Sequence, residues 1–189
     1  MLRWFLVVLL VVLLVPVAAA QDNPTPDLFG VYFDDLGTVF CRDDIPYYTP
    51  FSVYFVYKNP TVPAILGFEA AYYTTAEFLE LGYYPPCGIV WPSPPDWANL
   101  WVECSSPIPT SEATPLLRID YMAMGTEDPE SVFFLEKAQN SSLPGANPYI
   151  ILPDGSYLET QAALPSYTTL CCGIPSVGVE WGAIKSLYR

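Results

Sequence analysis

The sequence predicts an all-β protein that folds as a single antiparallel β-sandwich. Short apolar runs rich in Tyr, Phe and Val recur along the chain, and many of the 21 prolines fall between these runs. No helical pattern long enough to connect parallel strands separates them, which argues against an α/β fold.

The predicted strands follow from these runs in order. They cover residues 28–33, 50–58, 65–74, 99–105, 116–124, 131–138 and two runs within 149–160. Residues 50–58 alternate, so that Phe51, Val53 and Phe55 share one face. Within 149–160, Pro153-Asp154-Gly155 predicts a hairpin turn whose glycine supplies a positive φ. Residues 75–81 fit either a helical turn or a strand.

The N-terminus has the pattern of a signal peptide over residues 1–20. A positive start at Arg3 precedes an apolar run over 4–15 and small residues at 17–20. The apolar run is too short to cross about 30 Å of hydrocarbon. We expect cleavage before Gln21 and a secreted, extracytoplasmic chain with no later membrane span. The β-sandwich domain is then predicted at 21–175, with a C-terminal tail at 176–189.

The charge of the chain excludes some partners. The sequence has 20 acidic and 7 basic residues, no histidine, and a net charge of −13. Loss of residues 1–20 removes Arg3 and no acid, so the exported chain is one unit more negative. Such a chain repels nucleic acid and anionic lipid.

Five cysteines in an exported chain indicate disulfide bonds rather than a metal site. Cys87 and Cys104 flank a loop rich in Pro and Trp, and a bond between them is the first predicted bridge. The second predicted bridge joins Cys41 to either Cys171 or Cys172, which leaves one cysteine as a free thiol or an intermolecular link.

The tail differs in character from the rest of the chain. Trp181, Ile184, Leu187 and Tyr188 fall at helical spacing, so a short helix would place them on one face. That face could dock on the sandwich or serve as a terminal anchor.

Four stretches carry a resemblance to a group of uncharacterised secreted bacterial proteins. They are DLFGVYFD (27–34), FSVYFVYKNPT (51–61), SVFFLEKAQNSSLPGANPYI (131–150) and VEWGAIKSLYR (179–189), the last ending in a Trp-Gly-x-Ile-Lys-x-Leu-Tyr pattern. The resemblance implies a single immunoglobulin-like or cohesin-like β-sandwich and an exported, bacterial setting. It supplies no site residues.

Two binding sites are predicted, and no catalytic residue is predicted. The lack of histidine rules out Ser-His-Asp and Cys-His catalysis. No cofactor is predicted apart from a possible calcium ion, for which Asp34, Asp35, Asp43 and Asp44 would supply oxygen ligands. Solvated turn residues are the simpler explanation of these acids.

The second predicted site is a platform of aromatic side chains that would bind a carbohydrate. Exposed aromatic side chains on loops can stack on sugars. The candidate residues cluster near the predicted Cys87–Cys104 loop: Tyr83, Tyr84, Trp91, Trp97 and Trp101. The simpler explanation is that these rings fill the core.

The sequence therefore predicts a secreted, non-catalytic interaction or structural module of the cell envelope or the extracellular space. Its partner would be a protein or a glycan at the cell surface. The alternatives are a carbohydrate-binding module built on the tryptophan loop and, as a minority hypothesis, a hydrolase that uses two carboxylates.

Overall fold

The computed structural model shows two β-sheets packed face to face. The described residues are 25–42, 45–46, 48–75, 78–87, 96–124 and 131–168. Within them the strands are β1 (Leu28–Tyr32), β2 (Cys41–Arg42), β3 (Pro50–Lys58), β4 (Ala64–Thr74), β5 (Phe78–Tyr84), β6 (Leu100–Pro109), β7 (Ala113–Ala123), β8 (Ser131–Glu136), β9 (Tyr149–Ile151), β10 (Tyr157–Glu159), β11 (Gln161–Ala162) and β12 (Ser166–Thr168). The all-β sandwich predicted from the sequence is confirmed.

The first sheet has the strand order β11-β1-β3-β7-β5. The second has the order β10-β9-β4-β8-β12-β2, and β6 pairs with β4 as well. Because β6 and β9 both pair with β4 over residues 67–69, they lie on opposite edges of that strand. Most pairings are antiparallel. The exceptions are β1 with β11 and β2 with β12, which are parallel.

The core between the sheets is strongly aromatic. Phe51, Phe78, Tyr121 and Phe133 contact one another, with ring centroids 5.2–6.4 Å apart. Burial of each such side chain contributes about 1.5–3 kcal/mol, and favourable ring geometry adds to this. The alternation seen in the sequence produces this core, because every second residue of a strand points inward.

A β-bulge modifies the alternation where β3 pairs with β7. The register shifts between Phe55 and Val56, and Leu116 and Leu117 are both buried as a result. Val56 packs with Tyr32 and Ala163 in a second, smaller apolar cluster. Strand β3 contributes to both clusters because successive residues of a strand, here Phe55 and Val56, point to opposite faces.

The two sheets are joined on both flanks. On one flank residues 161–166 run along β1, where Gln161 N donates to Asp27 O at 2.9 Å and Ala163 N donates to Phe29 O at 3.0 Å. The chain then enters the second sheet as β12. On the other flank, the predicted Cys87–Cys104 bridge is present, with Cα atoms 5.5 Å apart. It links the end of β5 in the first sheet to β6 in the second.

The other sequence predictions about the termini are not tested by the fold. The predicted signal peptide and C-terminal tail lie outside the described residues. Cys41 is disulfide-bonded, whereas Cys171 and Cys172, the predicted alternatives for its partner, also lie outside them. No helix in the described part of the chain is long and apolar enough to span a membrane.

Candidate functional site

A row of four side chains crosses the outer face of the second sheet. Trp101 on β6 pairs with Glu69 on β4, Glu69 pairs with Tyr149 on β9, and Tyr149 pairs with Glu159 on β10. Directly paired residues in antiparallel strands share a face. Their strand neighbours Phe68 and Ile150 are fully buried in the core, so the row faces outward.

The Trp101 end of this row opens into a groove, which we call the β4–β6 groove. Its volume is about 260 Å³. It is lined by Glu69, Asn99, Trp101, Ala138, Asn140, Ser141, Ser142 and Tyr157. Trp101 is 52% exposed and Tyr157 is 41% exposed. The groove therefore combines two accessible aromatic rings with one carboxylate and several uncharged polar groups.

One wall of the groove is fixed by hydrogen bonds between two loops. Asp96 caps the 3₁₀ turn Trp97–Asn99 through the Ala98 amide. Asn99 Nδ2 donates to Asp96 Oδ2 at 2.7 Å, and Asn140 N donates to Asn99 Oδ1 at 2.6 Å. Gln139 N also donates to Ala98 O at 3.0 Å. These hydrogen bonds fix the position of Asn140 in the groove.

The opposite wall is set by the β9–β10 hairpin, which the sequence predicted. Leu152 N donates to Ser156 O at 2.8 Å, and Gly155 has φ +81°. Asp154 Oδ1 accepts from the Ser156 amide at 2.9 Å, which fixes the turn. The hairpin places Tyr157 against Tyr149, with ring centroids 6.4 Å apart.

Several polar groups of the groove are free to bind. Among the described residues, no hydrogen bond or ion pair engages the carboxylate of Glu69, the side-chain amide of Asn140 or the indole N–H of Trp101. The Tyr149 hydroxyl is buried and lacks a hydrogen-bond partner in the same part of the chain. Burial raises the pKa of Tyr149, and the carboxylates of Glu159 and Glu69 add to the effect.

Glu159 differs from Glu69 because local backbone already engages it. Its Oε1 accepts from Ala146 N at 3.0 Å and from both Asn147 N and Asn147 Nδ2 at 3.3 Å. Glu159 therefore shapes the 145–147 turn, whereas Glu69 is the carboxylate that lines the groove.

The structure does not bring the predicted carbohydrate platform together. Trp97 packs against Tyr72 and Tyr83, with centroids 5.4 Å from each, at the edge of the core. Trp101 lies on the outer face of the second sheet. Tyr84 lies at the far edge of the first sheet, under the Arg118 guanidinium at 4.2 Å. Of the four candidates that the structure describes, only Trp101 lines the groove; the fifth, Trp91, lies outside the described residues.

The predicted calcium ligands are also not seen as one site. Asp34 accepts from Thr38 N at 2.8 Å and Val39 N at 2.7 Å, and so closes its own loop. Desolvation raises its pKa, but the hydrogen bonds from Thr38 and Val39 prevail and leave that pKa below its usual value. Asp35 is exposed on the same loop, whereas Asp43 and Asp44 lie outside the described residues. No metal-binding group of three or more ligands occurs in the part of the chain that the structure describes.

The structure is a two-sheet β-sandwich with a groove of aromatic and polar residues on one outer face. The chain matches no protein-family profile and no curated protein in sequence. Among solved structures it is similar to the cohesin module from Clostridium perfringens ATCC13124 family 33 glycoside hydrolase. The TM-score is 0.52 at 8% sequence identity, over 77% of this chain and 96% of that chain. This likeness shows a cohesin-like β-sandwich fold.

Proposed function

We propose that this protein is a non-catalytic interaction module that acts outside the cytoplasm, at the cell envelope or in the extracellular space. The observation that carries the proposal is the β4–β6 groove, in which the described part of the fold leaves the Glu69 carboxylate, the Asn140 side-chain amide and the Trp101 indole N–H unengaged. Groups with these properties are typical of recognition surfaces.

Two further observations support the proposal. The Cys87–Cys104 bond is of a kind that persists in oxidising compartments, in agreement with the signal-peptide pattern of residues 1–20. The structural neighbour is a module of a glycoside hydrolase, so a similar fold occurs as one part of a carbohydrate-active enzyme.

The groove itself favours binding over hydrolysis. Glycosidases of the common type use two carboxylates across the scissile bond. Within the described ranges, the residues that line the groove supply one carboxylate, Glu69. Asn140, Ser142 and the aromatic rings can position a ligand but are not acids or bases near neutral pH.

The test uses the full chain, expressed in a bacterial host with residues 1–20 in place. We expect cleavage before Gln21, which intact-mass measurement detects, and recovery of the product from the periplasm or medium. The purified product should retain a protein or polysaccharide component of envelope extracts, and a Trp101→Ala variant should retain less. A chain that stays uncleaved in the cytosol, or that releases reducing sugar from the same extracts, would contradict the proposal.

A further inference from the structure

The β4–β6 groove has the chemistry of a saccharide site. A pyranose ring has an apolar face of C–H bonds and a rim of hydroxyl groups. The apolar face needs a flat, exposed aromatic surface, and the hydroxyl rim needs acceptors and donors at its edge. The groove offers both, with Trp101 beside Glu69 on adjacent strands.

The Glu69 carboxylate is placed to accept sugar hydroxyls. Its direct partner across the ladder is Trp101, and cross-strand pairs of this kind have Cβ atoms about 5 Å apart. A sugar stacked on the indole would therefore bring its hydroxyl rim over the carboxylate. A carboxylate can accept two hydroxyl hydrogens at once, and such charge-assisted bonds are about twice as strong as neutral ones.

A second observation points to a polar ligand on this face. The Tyr149 hydroxyl, on a residue that is 4% exposed, has no hydrogen-bond partner among the described residues. It belongs to the same row as Glu69 and Trp101. Buried hydroxyls are normally paired, because leaving one unpaired is costly. Tyr149 does not itself line the groove, so a hydroxyl-rich ligand there would supply the missing partner through a water held beneath it.

The negative charge of the groove and of the chain favours uncharged sugars over acidic ones. The described residues that line the groove include a carboxylate and no basic side chain, and the whole chain carries a net charge of −13. Glu103 lies on the same outer face, since it pairs with Gly67 two residues along from Glu69. Uronic acids, sialic acids and phosphorylated sugars would be repelled.

The size of the groove limits how much of the sugar is held. A volume of about 260 Å³ lies just below the range of about 300–1,000 Å³ usual for small-molecule sites. The groove therefore suits a short stretch of a glycan, with the rest of the chain extending over the sheet.

We propose that the β4–β6 groove binds an uncharged saccharide, which stacks on Trp101 and is oriented by Glu69 and Asn140. This rests on the proposed function, because it names the ligand class of the same interaction module.

The experiment is a calorimetric titration of the full chain, secreted from a bacterial host so that Asn140 in the Asn-Ser-Ser sequence carries no eukaryotic glycan. The probes are soluble oligomers of glucose, mannose and N-acetylglucosamine. Oligomers of galacturonic acid, sialyllactose and an oligolysine peptide serve as charged comparisons. We expect at least one neutral series to bind, and the acidic probes not to bind.

Variants locate the site. Trp101→Ala should weaken binding about tenfold or more, as expected for a central aromatic contact, and Glu69→Gln should weaken it several-fold. Tyr84→Ala is the matched control, because Tyr84 is an aromatic side chain of similar exposure (49%) on the other sheet, and it should leave the affinity within about twofold. Tyr157→Ala provides a second groove variant if Trp101→Ala melts at a lower temperature than the parent.

Three results would overturn the inference. They are the absence of binding to all neutral series, binding that Trp101→Ala and Tyr157→Ala both leave unchanged, and selective binding of oligolysine. If the neutral sugars fail while envelope extracts are still retained through Trp101, the saccharide inference is wrong and the interaction module stands. If both assays fail, the proposed function is wrong as well.

Discussion

Replacement of Asp27 by alanine should strongly destabilise the protein, because this side chain ties the start of β1 to the β3–β4 turn. Asp27 Oδ1 accepts from the hydroxyl of Tyr57, which is fully buried, and from Thr61 N at 2.9 Å. Oδ2 accepts from Thr61 Oγ1 at 2.7 Å. Asp27 has φ +51°, a left-handed conformation that Asp tolerates better than Ala does.

The size of the effect follows from these contacts. Leaving the Tyr57 hydroxyl buried and unpaired costs about 1–3 kcal/mol. The Thr61 donors are exposed and can turn to water, so their loss adds little. Alanine in the left-handed region adds about 1–2 kcal/mol. We therefore expect Asp27→Ala to lower the free energy of unfolding by about 2–5 kcal/mol, combining these two terms.

A double-mutant cycle isolates the Asp27–Tyr57 bond. The free energies of unfolding of the parent, Asp27→Ala, Tyr57→Phe and the double variant would be measured by urea denaturation. The backbone cost of alanine cancels in the cycle, and the double variant should be less destabilised than the sum of the single variants by about 1–2 kcal/mol. Additivity within about 0.5 kcal/mol would refute the assigned role of this hydrogen bond.

Three further predictions concern the bridge, the pairing of β4 with β6, and pH. Replacement of both Cys87 and Cys104 by serine should lower the free energy of unfolding by about 3 kcal/mol, and reductant should no longer lower stability through this bridge. Equal urea midpoints for the variant and the parent would contradict this prediction. Gly67→Ala should lower the free energy of unfolding by about 1–3 kcal/mol, because the added Cβ would overlap the Val102 carbonyl oxygen. A melting temperature equal to the parent's would contradict this and show that β4 and β6 can move apart at no cost. Burial raises the pKa of Tyr72 well above its usual value. Because an unfolded tyrosine ionises near pH 10 and the folded one does not, stability should be intact below about pH 10 and fall as the pH rises further; a flat profile of urea midpoints would contradict this.

The sequence predicted the central strands well where alternation was regular. Residues 50–58 were predicted as a strand and form β3 with the same bounds. The Pro153-Asp154-Gly155 turn was also predicted correctly. In both cases local chemistry alone, namely the two-residue period or the glycine in a turn, determines the structure.

The sequence predicted less where a strand depends on distant partners. The sequence pattern of residues 75–81 fits either a helical turn or a strand. In the structure β5 forms at Phe78–Tyr84, with a bulge between Glu80 and Gly82. The bulge breaks the two-residue period, so alternation could not reveal this strand. Strands β11 and β12 are two and three residues long, and their positions depend on the backbone of β1 and β8 rather than on a pattern of their own.

The groove could not be predicted, because its residues come from four separate parts of the chain. Glu69, Trp101 and Tyr149 become neighbours only through the register of β4 with β6 and β9. The prediction from the sequence placed Trp101 and Trp97 in one site because they are close along the chain. Trp97 instead packs at the edge of the core, on a 3₁₀ turn that precedes β6. Proximity along the chain does not distinguish the partly buried Trp97 from the exposed Trp101.

The Cys87–Cys104 bridge also has a consequence for the rigidity of the groove. The segment that it closes carries Asn99 and Trp101, which form one wall of the groove. In a reducing cytosol this segment would be held by its backbone and packing alone. The wall of the groove should therefore be more rigid in the oxidised protein than in the reduced one.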